Sequence, residues 1–292
     1  MSAFAQQLIY GTSYGMNLAV AAAGLALLFG VYRVINLAHG QLIMFGGYIA
    51  YVVTTGLGLH FFVGFAAAMV AMGVAGVILE ISVFRILQRR PATDQLLASL
   101  GVYMMIGILA LRIWGDFEAR PINMPGEEGA ILLGKDIRID FARIVTIAIT
   151  IAVFAVLYFV VYRTHLGRTM RATAQGPETA TLMGIRKREV AALVFFIAGA
   201  LGGAAGAMLG GLFNVRPDMG FQPLLMALII IIFGGMGSLI GAIIAGLVLG
   251  ILYNLTVFYV GSKLGDLVPF AVLLIILMVR PQGLFGLPGR RA

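Results

Sequence analysis

Asn36 and His39 are the polar side chains with the clearest chemical potential, because they stand between two long apolar runs. They belong to the stretch RVINLAHGQLIMFGGY, and Gly40 follows the histidine directly. An amide and an imidazole both donate and accept hydrogen bonds, and a break between apolar runs is tolerated at depth only where protein or water satisfies its backbone. The segment is therefore a candidate part of a translocation route or its gate. In the alternative interpretation, Asn36 and His39 only cap a helix that starts at Gly40, with His39 at the cytoplasmic interface.

A second break, GGMGS, interrupts the apolar sequence in the other half of the chain. It separates the runs 222–233 and 239–259 and, like the first break, precedes a glycine-rich run. Interrupted helices in corresponding positions of two halves mark the transport pathway in carriers built from inverted repeats. The two breaks together predict a pathway or gate, although GGMGS alone is equally consistent with a tight turn. The predicted pathway residues are Asn36, His39, Gly40, Gly234, Gly235, Gly237 and Ser238.

Metal and nucleotide chemistry find little support in the sequence. Cysteine is absent, which excludes thiolate metal sites, and His60 and His165 are predicted near opposite membrane faces. The stretch GAILLGKD has the spacing of a phosphate loop, but Asp136 stands where a serine or threonine would hold magnesium. We therefore predict no metal and no cofactor in this chain.

Ion coupling is also poorly supported, because the apolar runs are nearly free of ionisable residues. Glu80 is the one acid within a run, and Arg85 follows about one helical turn later. We interpret the two as an interfacial ion pair. Gradient-driven carriers usually need ionisable groups inside the membrane, and channels need a ring of charge or a carbonyl filter. The sequence therefore indicates that a partner supplies the energy.

The composition predicts a chain that lies mostly in lipid. Of 292 residues, 61% are hydrophobic and 11% are charged, and the mean hydropathy is +1.03. Soluble domains carry roughly 25% charged residues, so this chain cannot cover its surface with polar groups. We expect one transmembrane domain, 1–292, with no separate soluble unit. The formal net charge of +8 then reflects cytoplasmic loops rather than a nucleic-acid partner.

The apolar runs predict an all-α polytopic membrane protein of about 8–9 transmembrane helices, two of them broken or re-entrant. Lipid offers backbone amides no partner, so a spanning run is a helix or a closed barrel, and these runs lack the alternation of barrel strands. The run 222–233 is too short to cross alone. The predicted helices cover 8–30, 41–58, 61–83, 96–113, 144–162, 191–213, 222–233, 239–259 and 267–279.

Basic residues predict the orientation. With 163–189 placed inside, the inner segments hold 13 Lys and Arg and the outer segments hold 7. Cytoplasmic loops carry the excess of basic residues, so we expect the N-terminus outside and the C-terminus in the cytoplasm. The segment 115–141 is then an external loop of mixed charge. It is long enough to meet a binding protein, but no motif indicates one.

The cytoplasmic loop 163–189 is the best candidate for a docking surface. Within it, GPETATLMG reads as one short helix, because Pro177 suits the first helical position, Glu178 favours the positive end, and Gly184 supplies a left-handed stop. Ala180, Leu182 and Met183 are small or flexible apolar residues that suit a groove. The alternative is an interfacial helix held to anionic lipid by its basic neighbours.

Glycines and alanines recur at three- and four-residue spacing in GALGGAAGAMLGG, 199–211. Small residues at this spacing let helices approach closely within a membrane. The stripe predicts helix packing within the subunit, or alternatively contact with a second membrane subunit.

Four motifs carry a family resemblance. The string GRTMRATAQGPETATLMGI contains Glu178–Gly184, which resembles the EAA-x-x-x-G signature of ABC-importer permeases with Thr179 in place of the usual alanine. That string, LLFGVYRVINLAHGQLIMFGGYIA, FGGMGSLIGAIIAG and the C-terminal RPQGLFG all resemble the branched-chain amino acid permease family, in the family's order. The resemblance covers nearly the whole chain.

The resemblance implies a non-catalytic transmembrane subunit of an ATP-binding-cassette importer in the bacterial inner membrane. Its implied partners are a second homologous permease, two ATPase subunits that bind ATP and magnesium, and a periplasmic substrate-binding protein. The implied solute is leucine, isoleucine or valine. Urea, a short-chain amide or another small solute is the alternative, and so is an autonomous channel. The implied ATPase-coupling residues are Gly167, Arg168, Arg171, Pro177, Glu178, Ala180, Leu182, Met183 and Gly184.

Overall fold

The protein folds into a bundle of α-helices. The computed structural model describes residues 2–115, 118–125, 129–133, 137–280 and 282–285. Two short π-helical segments, Val52–Gly56 and Glu80–Phe84, continue α2 and α3. The described helices are α1 Ser2–Tyr32, α2 His39–Tyr51, α3 Phe61–Leu79, α4 Ala92–Trp114, α5 Phe141–Arg163, α6 His165–Gln175, α7 Pro177–Leu182, α8 Lys187–Phe213, α9 Phe221–Gly234, α10 Leu239–Tyr259, α11 Ser262–Gly265 and α12 Leu267–Val279.

Seven helical segments in the described part of the chain are long and apolar enough to cross a bilayer. They are α1, α3 with its π segment, α4, α5, α8, α10, and α11 together with α12. A bilayer core needs about 20 apolar residues, so α9, with 14 residues, falls short. Helix α2, with 13 α-helical residues and a five-residue π segment, is not among the seven either. All nine predicted apolar runs are helical, and the prediction of an all-α polytopic membrane protein is confirmed.

A short β-hairpin was not predicted; it lies against the start of α1, where the Tyr10 hydroxyl donates to Asp140 Oδ2 at 3.1 Å. Strands β1, Ala130–Leu133, and β2, Ile137–Asp140, pair antiparallel with Ile131 opposite Ile139. The β1 strand lies inside the GAILLGKD stretch, whose residues 134–136 fall outside the described part of the chain.

Helices α1 and α8 form the centre of the bundle and are the most buried of the long helices. Gly15 of α1 packs against the backbone of Gly246 in α10, and Gly203 of α8 packs against the backbone of Ala68 in α3. A methyl group at Gly15 would lie 2.5 Å from the Gly246 carbonyl oxygen, so each contact requires a residue without Cβ. The prediction that the small residues of 199–211 pack within the subunit is confirmed.

The outer helices present apolar side chains to the surroundings. Val70 of α3, Met105 of α4, Val156 of α5 and Leu274 of α12 are all exposed. Because water would penalise such a surface, these faces suit lipid acyl chains or another membrane subunit.

Candidate translocation and coupling sites

The link between α1 and α2 folds back along α1. Arg33 ends α1 in the left-handed region, with φ 56°, and residues 34–38 follow without regular structure. The chain then begins α2 at His39, whose Nε2 donates a hydrogen bond to the Ala21 carbonyl oxygen, 3.0 Å away. Ala21 lies 11 residues before the end of α1, about 16 Å at 1.5 Å per residue. Helix α2 therefore starts beside the body of α1, well inside the bundle.

His39 is completely buried between two glycines. Its ring fills the space beside Gly24 of α1 and Gly202 of α8, where added methyl groups would lie 2.8 Å and 3.2 Å from His39 Cε1. Its Nδ1 has no hydrogen-bond partner among the described residues. The alternative that Asn36 and His39 cap α2 at an interface is wrong. Ala38 occupies the N-cap position, and no side chain forms a capping hydrogen bond there.

Asn36 is buried as well, and its Oδ1 also lacks a partner in the described structure. The neighbouring Leu37 N–H donates to Ser99 Oγ of α4, 3.1 Å away, which holds the link in place. Gln41, the third residue of α2, is buried with an unpaired Oε1 in the described structure. Sequence reasoning missed Ser99 and Gln41. Gln41 was visible as the next polar residue of the motif, whereas nothing in the sequence pointed to Ser99.

The link between α8 and α9 repeats the arrangement of the first link. Asn214 ends α8 with φ 65°, and Arg33 and Asn214 are the two non-glycine residues with positive φ among those described. The Val215 N–H then donates to the Arg120 carbonyl, 2.8 Å away. Helix α9 begins just after Gly220, which packs against the Gly40 backbone so closely that a side chain would overlap the Gly40 carbonyl oxygen.

The starts of α2 and α9 therefore meet inside the bundle. This contact was missed by sequence reasoning, which paired the first break with GGMGS. The available signal was RPDMG, 216–220, a polar stretch that ends in glycine directly before a short apolar run.

The GGMGS segment lies elsewhere and forms a tight turn. Gly235 and Gly237 have φ of 100° and 87°, and Ser238 Oγ caps α10 by accepting from the Gly241 N–H at 3.0 Å. Gly237 packs against Gly30, near the end of α1. The structure thus brings Gly40 to Gly220 and Gly237 to Gly30. It does not gather the seven predicted pathway residues into one site.

The C-terminal motif RPQGLFG is hydrogen-bonded to the end of α9, directly before the GGMGS turn. Leu284 N–H donates to the Phe233 carbonyl at 2.8 Å, and Phe285 N–H donates to the Gly234 carbonyl at 3.1 Å. These bonds satisfy carbonyl groups at the end of α9 that have no partner within the helix.

The predicted short helix of the 163–189 loop is present as α7. Pro177 occupies its first turn, and Gly184 follows it in the left-handed region with φ 82°. The Ile185 N–H donates back to the Ala180 carbonyl at 3.0 Å, which satisfies the end of the helix. This local prediction is confirmed.

Helix α7 has an inner and an outer side. Ala180 is 4% exposed and packs inward, whereas Leu182 is 88% exposed and Met183 is 80% exposed. Glu178 is exposed near the start of the helix. Leu182 and Met183 therefore form a small exposed apolar pair at the end of α7.

Helix α6 fixes this loop to α5. Thr164 Oγ1 accepts from the Gly167 N–H at 3.2 Å, and Gly167 packs so closely on the Val161 carbonyl that no side chain fits. Arg171 donates to that carbonyl through Nη1, and its guanidinium carbon lies 5.6 Å from the Tyr162 ring centroid. Arg168 is exposed on the same helix.

A groove of about 740 Å³ lies between α6, the end of α7 and the start of α8. Leu166, Ile185 and Leu193 supply apolar lining, and Met183 stands at its edge. At the rim, Glu189 accepts from Arg186 Nη1 at 2.7 Å, and this carboxylate raises the pKa of the Arg186 guanidinium. The groove and the exposed residues of α7 form one continuous surface that we call the α6–α7 surface.

These features define a multi-pass α-helical membrane protein with a polar loop that carries the short helix α7. The sequence model of the family described as "Branched-chain amino acid transport system / permease component" matches residues 7–277, so the chain belongs to this family. BraD, a high-affinity branched-chain amino acid transport system permease protein of Pseudomonas aeruginosa, is 29% identical over 98% of this chain and 96% of its own. The Escherichia coli permease protein LivH, which carries the same description, is 29% identical with the same coverage of each chain.

One solved structure shares the fold. It is described as PsaBC from Streptococcus pneumoniae in complex with Fab, and it superposes with a TM-score of 0.53 over 95% of this chain and 92% of that one. At 14% identity, the likeness concerns the fold alone. Among the described residues, no three histidine, cysteine or acidic side chains cluster as a metal site.

Proposed function

We propose that the chain is the transmembrane permease subunit of an ATP-binding-cassette importer for leucine, isoleucine and valine or a related small solute. The observation that carries this proposal is the family match over residues 7–277, joined to an exposed apolar docking helix on a body of spanning helices. The chain itself is non-catalytic. ATP and magnesium bind in two partner ATPase subunits, and the proposed location is the bacterial inner membrane.

The proposed orientation places α6 and α7 in the cytoplasm and the β-hairpin outside. The excess of basic residues in the inner segments supports it. We also propose an inverted repeat in which α1–α2 corresponds to α8–α9. Both units run from a long central helix through a positive-φ residue, Arg33 or Asn214, into a short helix. In addition, α1 packs on α10 through glycines as α8 packs on α3.

The α6–α7 surface is the proposed contact with the ATPase. Leu182 and Met183 provide the apolar contact, Glu178 and Arg168 lie on the exposed side, and the adjoining groove receives a partner segment. Gly167, Arg171 and Ala180 face the permease body and hold the surface in position. A displacement of α7 reaches α8 through Ile185, because the Ile185 N–H is bonded to Ala180.

The proposed gate is the contact between the starts of α2 and α9. Gly40 and Gly220 touch through their backbones, and His39 and Asn36 hold unpaired hydrogen-bonding atoms close by in sequence. An ATP-driven separation of the two short helices would expose these atoms to a passing solute. The turn at Gly234, Gly235, Gly237 and Ser238 lies beside Gly30 and is proposed to transmit the movement to α1. A second permease completes the pathway, and a periplasmic binding protein delivers the solute and sets most of the specificity.

The experiment that tests the function is uptake of labelled leucine into proteoliposomes. The account predicts no uptake by this chain alone, and uptake with the second permease, the ATPase subunits, the binding protein and ATP. Leucine flux through the chain alone would instead identify an autonomous channel. Uptake of urea or an amide in preference to leucine by the complete system would correct the solute.

His39→Ala tests the gate. We expect uptake per folded complex to fall about tenfold, which corresponds to the loss of one hydrogen bond of roughly 1.4 kcal/mol to the passing solute. The matched control is Tyr48→Phe on the same helix. The Tyr48 hydroxyl is also buried without a described hydrogen-bond partner, but it lies more than two helical turns away from His39. Equal uptake by both variants and the parent protein would show that His39 has a packing role only.

A further inference from the structure

A cavity of about 370 Å³ with a mixed polar and apolar lining lies between the end of α1, the π segment after α3, the end of α6 and the start of α8. It is separate from the groove of the α6–α7 surface. The Tyr32 hydroxyl donates to the Lys187 carbonyl at 2.8 Å, which fixes one wall by joining α1 to α8. Thr173, Gln175 and Pro177 line another wall, so the cavity adjoins the base of α7.

The charges around this cavity do not balance. Arg33, Arg85 and Lys187 line it together with one acid, Glu80. Arg85 engages both carboxylate oxygens of Glu80, Nε to Oε1 at 3.0 Å and Nη2 to Oε2 at 2.6 Å. The Glu80 side chain is 4% exposed, so this pair is neutral within itself and the acid is already occupied. The ion pair expected from the sequence is thereby confirmed.

Two positive charges remain without an acid. Neither Arg33 nor Lys187 forms an ion pair in the part of the chain that the structure describes. Gln88 and Gln175 also border the cavity and offer amide groups for hydrogen bonds. Two cations and neutral donors around a small cavity favour an anion with several acceptor oxygens.

The position of the cavity indicates where such an anion comes from. The elements that line it also carry exposed apolar side chains, with Ile81 at 48% and Ile86 at 72%. Apolar side chains facing outward next to a basic cavity, at the ends of spanning helices, match the acyl chains and headgroup of a membrane lipid.

We propose that this cavity binds a phosphate group through Arg33 and Lys187, and that an anionic phospholipid headgroup is the source. The bound phosphate bridges the end of α1 to the start of α8, directly beside the base of α7. The site itself is defined by the cavity and its charges and does not depend on the solute that the protein transports.

The test compares the full-length chain with the double variant R33Q/K187Q and the control R89Q/R90Q, which removes two nearby charges that do not line the cavity. The proteins are reconstituted into phosphatidylcholine nanodiscs with a minor fraction of phosphatidylglycerol, and retained lipid is counted by native mass spectrometry. We expect retention to fall at least tenfold in R33Q/K187Q, because each of the two lost charge-assisted hydrogen bonds alone contributes about that factor, and to persist in the control. Since glutamine also has a Cβ, R33Q leaves the strain at this positive-φ position unchanged.

A second arm distinguishes the two sources of phosphate. Inorganic phosphate is titrated onto the chain in phosphatidylcholine alone, with R33K/K187R as the variant that preserves both charges. Charge-dependent binding of phosphate without selective lipid retention would assign the site to a free phosphate compound. Equal lipid retention and equal phosphate binding in the parent protein and R33Q/K187Q would overturn the proposal.

Discussion

Replacing Gly206 with alanine should sharply reduce the amount of folded protein. An added methyl group there would overlap the Ile43 carbonyl oxygen and lie 2.9 Å from the Gly47 nitrogen, both backbone atoms of α2. Backbone atoms cannot rotate away, so α8 and α2 would have to separate. Overpacking of this kind costs typically 1–3 kcal/mol or more. The better helix propensity of alanine recovers at most about 1 kcal/mol.

The measurement is the thermal midpoint of unfolding of the purified chain in detergent, monitored by fluorescence-detected size-exclusion chromatography. The matched control is Gly101→Ala in α4, where an added methyl group meets nothing within 4 Å. That variant is expected to be neutral or slightly more stable, because alanine loses less backbone freedom in a helix. Equal midpoints for the two variants would show that α2 and α8 do not pack as described.

Replacing Leu182 and Met183 together with serine should uncouple the permease from its ATPase without unfolding it. Burying one Leu or Met side chain contributes about 1.5–3 kcal/mol, so loss of two at an interface should weaken association at least tenfold. Stability should hardly change, because these side chains are 88% and 80% exposed in the isolated subunit. Co-purification with the ATPase and leucine-dependent ATP hydrolysis should fall together.

Two controls are needed to interpret the loss of ATPase association in the Leu182 and Met183 variant. Thr181→Ser on the same helix keeps an exposed hydroxyl and should leave both readouts unchanged. An unchanged thermal midpoint for the Leu182 and Met183 variant separates lost docking from lost folding. Normal ATPase association of that variant would remove the α6–α7 surface as the coupling element.

The sequence predicted features that depend on local chemistry. Apolar runs of membrane-spanning length predicted the helices, because in lipid the backbone of such a run finds hydrogen-bond partners only within a helix. Pro177 and Gly184 located α7, because each residue favours one helix end for a steric reason. Glu80 and Arg85 pair because a charge in an apolar run needs a nearby partner.

The sequence did not predict features that depend on how distant segments meet. The alternative interpretation placed His39 at a membrane interface, whereas it lies against Ala21 because the link 34–38 folds back along α1. The partner of Gly40 is Gly220, and their contact depends on the packing of α2 and α9 rather than on either sequence. Ala180 was grouped with the docking residues, but a single helical turn places it on the inner side.

The position of Met183 in the assembled transporter decides whether the α6–α7 surface contacts the ATPase. A photo-crosslinking residue at Met183 should capture an ATPase subunit in membranes that contain all partners, with a yield that changes when ATP binds. The same residue at Leu264, exposed in α11 at the proposed external end, should capture none. Crosslinking of Met183 to lipid or to the periplasmic binding protein, with no ATPase adduct in any nucleotide state, would contradict the account.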